Sequence, residues 1–211
     1  MKKRRRETVC AELDYAPWVC IVTDSPTNTT APSMVPATAT PPPATLTLRF
    51  LTILDDSSGV LGGYLLTNSW GRPLEFRLST AVQPNRVQQI LYGPTLTEYL
   101  HADLIGKTLI EKTSTPPGLI ITDSIPALAL RHHFAVPVLA LPGLGYEPTS
   151  DYRILHHDRC SRAMLTTHQL ATQLHEHLER IDPAVDLAEP FTRIREAVAE
   201  ARKLGVTSRA A

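Results

Sequence analysis

Hydrophobic and polar positions follow two different periods along this chain, and each change of period marks an element. The stretch 46–54 ends in Phe50-Leu51-Thr52-Ile53-Leu54, apolar on both sides, as expected of a strand in the middle of a covered sheet. Asp55-Asp56-Ser57-Ser58-Gly59 then turns the chain, and 60–68, through Gly62-Gly63-Tyr64, supplies a second strand. Asn68-Ser69-Trp70-Gly71-Arg72-Pro73 has the residues of a hairpin turn. Beyond it, Leu74-Glu75-Phe76-Arg77-Leu78 alternates cleanly, with one face packed and one wet. Three consecutive strands joined by short turns predict an antiparallel meander.

Helical spacing follows. Pro84 suits a first helical turn, and Val87, Ile90 and Leu91 recur on one side. Gly93-Pro94 interrupts them, and Thr95-Leu96-Thr97-Glu98 has the capping-box form of a second helix carrying Leu96, Leu100 and Leu104. After Pro116-Pro117-Gly118, Leu119-Ile120-Ile121-Thr122-Asp123 reads as a short strand that again ends on a carboxylate. A helix is predicted over 126–134 and a strand over 136–141, where Pro137 argues for an edge position. Beyond Pro142 the pattern predicts a long amphipathic helix over 161–181, then one from Glu189-Pro190 to Gly205 with Phe191, Ile194, Val198 and Ala201 as its stripe. Both stripes require a covering surface, either the sheet or another subunit.

Composition divides the chain. Residues 1–24 form a basic tail, opening Lys2-Lys3-Arg4-Arg5-Arg6, with a short strand near Trp18-Val19-Cys20-Ile21 that pairs with the domain edge. Residues 25–45 are almost wholly Pro, Thr, Ala and Ser, a linker with too little apolar surface to offset the entropy of ordering it. An α/β core follows over 46–142, and a C-terminal helical extension over 143–211. Glu7, Glu12 and Asp14 break the apolar run a secretory signal would need. No apolar run reaches the ~18 residues of a membrane span. Three cysteines in no disulfide framework fit a reducing compartment, so the expectation is a cytoplasmic protein. A formal net charge of zero argues against a protein that lives on phosphate backbones.

Three strands with a hairpin, then helix, strand, helix and strand, is the element order of the ribonuclease H-like fold, and local residues agree. Asp55 before Gly62-Gly63-Tyr64 resembles that family's opening. Asn85-Arg86-Val87-Gln88 is similar to its Asn-Arg-x-Glu, and Thr122-Asp123-Ser124 to its Thr-Asp-Ser. The resemblance covers about 46–141. It implies a mixed sheet and a Mg²⁺ site in which Asp55 and Asp123 are ligands, provided the first and fourth strands of the core lie side by side and parallel. Gln88 stands where the family has a glutamate, and a neutral amide is a poor magnesium ligand. A simpler account makes Asp55–Gly59 an Asx turn and Asp123-Ser124 a helix cap.

The remaining polar residues give weaker signals. His156, His157, Asp158 and Cys160 match no zinc spacing, and for Cys160 as a nucleophile no third residue can be named to orient a base. His168, His175 and His177 read as surface histidines, and His132-His133 as a favourable charge at a helix end. Arg72, Arg77, Arg86 and Gln88 are the candidate binding residues near the sheet edge, and Trp70 is expected to fold back onto the core. The expected function is therefore a non-catalytic or repurposed ribonuclease H-like domain. It would act as a scaffold that binds a protein partner, or itself, through the C-terminal helices. The alternative is a Mg²⁺-dependent nuclease, with nucleic acid as substrate and Asp55 and Asp123 as its catalytic and metal-binding pair. Neither reading involves a membrane.

Overall fold

A computed structural model of the chain describes residues 19–21, 46–113, 115, 118–141, 152–157, 160–166 and 171–204. The strands are β1 (Val19–Ile21), β2 (Thr47–Asp56), β3 (Gly59–Asn68), β4 (Pro73–Leu78), β5 (Leu119–Thr122), β6 (Val138–Ala140), β7 (Tyr152–His157) and β8 (Cys160–Thr166). They form one mixed sheet in the order β1-β4-β3-β2-β5-β6-β8-β7. β2, β3 and β4 make the antiparallel meander, and β1 adds to the free edge of β4. β5 lies beside β2 in parallel, Leu48 facing Leu119 and Leu51 facing Thr122, and β6 is parallel to β5. The parallel strands explain why 119–122 is apolar on both faces.

Helices cover both faces. On one, α1 (Arg86–Tyr92) leads through a 3₁₀ turn into α2 (Leu96–Glu98), a π-helical stretch (Tyr99–Gly106) and α3 (Lys107–Glu111), with a 3₁₀ helix (Pro126–His132) alongside. Leu100, Ile105 and Leu109 bury against Leu51, Tyr64 and Ile120. On the other face, α4 (Ala171–Glu179) and α5 (Glu189–Lys203) bury Leu174, Leu178, Phe191 and Ile194 against Leu48, Phe50 and Ile121. Each such side chain contributes about 1.5–3 kcal/mol relative to exposure. Phe50 and Phe191 meet edge to face at 5.8 Å.

Gly62 and Gly63 let both layers approach the same strand. A Cβ on Gly62 would fall on Ile105 Cγ2, and one on Gly63 on Ile194 Cγ2. Adjacent residues of a strand point to opposite faces, so the pair removes one side chain beneath each helical layer.

Several expectations are corrected. The long helix over 161–181 is strand β8 followed by the shorter α4; β8 pairs with β7 from Tyr152–Thr166 to His157–Cys160, with a register shift after Leu155, and with β6 at Ala140–Met164, and that pairing overrides helical periodicity. The segment after Leu141 thus supplies two strands and two helices to the same sheet and core. Of the two coverings the stripes of α4 and α5 could take, the sheet is the one seen: their described apolar residues pack against it. β6 is interior, not an edge; Pro137 precedes it, and its carbonyl accepts the Ile120 amide at 3.0 Å. Residues 126–132 wind as 3₁₀. Thr95 caps nothing: its hydroxyl donates to the Tyr92 carbonyl, and the helical run continues through Gly93-Pro94. Trp70 is 64% exposed. The basic hexapeptide, the linker, Asp158 and His168 lie outside the described residues. No described helix is long and apolar enough to cross a membrane.

Candidate functional site

Because β2 and β5 run parallel, Asp55, Asp56 and Asp123 come to one rim of the sheet. Strand alternation then separates them. Asp56 and Asp123 point toward α5, and Asp55 points to the opposite face, where the helical run begins.

On the α5 side each carboxylate meets an arginine, and Arg195 and Arg202 sit two turns apart on one helix face. Arg202 Nη1 lies 2.6 Å from Asp56 Oδ2, while Asp56 Oδ1 accepts the Ser58 amide at 2.8 Å and the Ser58 hydroxyl at 2.5 Å. The Ser58 hydrogen bonds, with Arg202, hold the Asp56 carboxyl down at about 2. Asp56, not Asp55, is therefore the Asx residue of the β2–β3 turn. Arg195 Nη2 pairs with Asp123 Oδ2. Burial nonetheless pushes the Asp123 carboxyl above its ordinary value, against the opposing pull of Arg195. Asp123 Oδ1 and the neighbouring Thr52 hydroxyl are buried without a geometrically formed hydrogen bond among the described residues.

On the other side, Asp55 lines an open cleft of about 430 Å³ between the end of β2 and the helical run, with Asp56 at the turn and with Gln83, Gln89, Thr97 and His101. His101 lies in the π-helical stretch, a winding that often accompanies function. Its Nδ1 is 2.8 Å from Ser124 Oγ, and the Ser124 amide donates to Thr122 Oγ1 at 3.1 Å. Burial lowers the His101 pKa and the nearby Asp55 charge raises it. His101 has no part in the sequence reading, and Ser124 enters it only beside Asp123, never as a partner of His101. Their separation of 23 residues leaves no local pattern, and His101 sits inside what reads as an ordinary helical stripe.

The other candidates are not gathered here. Gln88 closes the capping box of α1: its side-chain oxygen accepts the Asn85 amide at 2.9 Å, and its own amide donates to Asn85 Oδ1 at 2.9 Å. Arg77 pairs with Glu75, and Arg86 donates to Gln89 Oε1 at 3.4 Å. Arg72 stands 6.0 Å from the Trp70 ring, in a separate surface cleft shared with Asp182, Asp186 and the Glu189–Arg193 pair. His133 at the end of the 3₁₀ helix pairs with Asp103. Buried Arg49, also unforeseen, donates to the Thr115 carbonyl at the far end of β2, and burial lowers its pKa.

Asp55, Gln88 and Asp123 thus make a poor fit for Mg²⁺. One carboxylate is on the opposite face from the other, the second is neutralised by arginine, and the amide is committed to a helix cap. No group of three or more His, Cys, Asp or Glu side chains among the described residues is placed to hold a metal ion. No family model matches the sequence, and no curated protein matches it.

Proposed function

We propose that this chain is a non-catalytic domain on a ribonuclease H-like core that works by binding a partner protein. The parallel neighbours β2 and β5 support the kinship, because the resemblance required that adjacency. The observation that carries the non-catalytic reading is the pairing of Asp123 with Arg195 on the face away from Asp55.

The contact surface on this reading is α1. It buries no residue, and Val87, Ile90 and Leu91 are 62%, 67% and 77% exposed. Tyr92 and Tyr99 stack at 4.5 Å where the helix ends. Apolar groups so exposed on one short helix mark an interaction site more often than chance. Gln89 of the same helix lines the Asp55 cleft, so α1 carries the exposed apolar residues and also borders the cleft. The occupant is a polypeptide segment with apolar side chains for α1 and a basic one for the cleft.

The test is a cleavage assay of the purified full chain with Mg²⁺ on single-stranded, duplex and hybrid nucleic acid. No cleavage is expected. Cleavage that disappears in Asp55→Asn with the fold intact overturns this reading in favour of a nuclease using Asp55 and Asp123.

A further inference from the structure

We infer that the cleft at the end of β2 is a receptor for one organic cation, the guanidinium of an arginine on the partner segment. The inference rests on the partner-binding reading and gives that partner its chemistry.

The rim holds three carboxylates, and two have their cations within the chain: Arg202 for Asp56 and Arg195 for Asp123. Asp55 has no ion pair among the described residues, and no lysine or arginine lines its cleft. The groups around it are turned to accept hydrogen bonds. Gln83 directs its amide nitrogen to the Ser57 carbonyl at 3.4 Å, and Gln89 directs its own to the Pro84 carbonyl at 3.2 Å. Their amide oxygens are thereby left as the acceptors, with the Gln89 oxygen taking only a 3.4 Å contact from Arg86. His101 is anchored through Nδ1 to Ser124, which fixes the ring at the cleft wall. A wall of the Asp55 carboxylate, the Asp56 carboxylate already paired with Arg202, side-chain amide oxygens and the Thr97 hydroxyl is negative and rich in acceptors. A guanidinium brings five donors and a permanent charge, where an ammonium brings three donors and a stronger hydration shell.

The experiment titrates ¹⁵N-labelled full chain with N-acetylarginine amide, with N-acetylcitrulline amide as the uncharged shape control, and separately with MgCl₂. The arginine derivative should move the amides of Gly59, Thr97 and His101 together. The citrulline derivative should bind about fivefold more weakly, and Asp55→Asn should lose the same factor for arginine, the scale of one solvent-exposed ion pair. Asp55 is exposed, so the variant's unchanged spectrum elsewhere confirms its fold. Equal response to arginine and citrulline, or arginine binding unchanged in Asp55→Asn, overturns the inference. So does a response to MgCl₂ with none to arginine, which points back to a metal site. Nucleic-acid cleavage by the parent would sink the non-catalytic reading without altering the arginine titration, so the two failures are distinct.

Discussion

Asp56 and Asp123 have the same kind of partner and titrate in opposite directions. Each faces an arginine of α5, yet Asp56 is held down at about 2 and Asp123 is pushed above its ordinary value. The difference is water. Asp56 sits at the open turn, where two hydrogen bonds from Ser58 favour the anion at little desolvation cost. Asp123 lies beneath α5, where losing solvent outweighs the attraction of Arg195. An arginine nearby therefore does not by itself make a carboxylate comfortable. Asp55, a single residue from Asp56, has neither arginine nor turn among the described residues and faces the cleft.

Removing α5 breaks the comparison most severely. Gly63→Val places a side chain on Ile194 and must displace the helix, with an expected loss of about 1–3 kcal/mol in urea unfolding. Next comes Arg195→Ala, which strands a buried carboxylate. After discounting for the half-exposed arginine, about 1–2 kcal/mol should be lost at neutral pH, and the Asp123 pKa should rise further.

Acid sharpens the contrast. A carboxyl whose folded pKa is depressed contributes stability above its unfolded value and loses it as pH falls through the folded one, so the Asp56 contribution disappears between about pH 4 and pH 2. Asp123 has the opposite sign: its contribution is fully present below the unfolded value and is lost as pH rises through the folded one. Thermal melts of Asp56→Asn should lack the parent's loss between pH 4 and pH 2. The smallest effect belongs to Asp55→Asn. Stability should stay within about 0.5 kcal/mol of the parent, while the His101 ring titrates lower because the charge raising its pKa is gone.

Much of the sheet was legible because its evidence is local. The apolar runs ending at Asp55 and Asp123, the glycine pair and the hairpin turns fixed the meander, and the two runs were expected side by side. Where pairing is distant, the reading failed. Residues 160–166 carry apolar positions compatible with a helix, and only β7 and β6 make them a strand. The site was half visible. Asp55 and Asp123 reach the same rim, but which face each takes depends on strand parity at the end of β2 and on arginines of the last helix. Nothing near residue 101 or 124 in sequence announces the His101–Ser124 contact, which exists because a π-helical stretch crosses over the end of β5.

The most direct measurement follows the side-chain carboxyl ¹³C resonances of Asp55 and Asp123 during a MgCl₂ titration of the full chain. With Arg195 holding Asp123 on the far face, the Asp123 signal should stay in place whatever Asp55 does. Movement of both resonances with one common midpoint would mean that the two carboxylates share an ion, and would contradict the division of the rim on which the account depends.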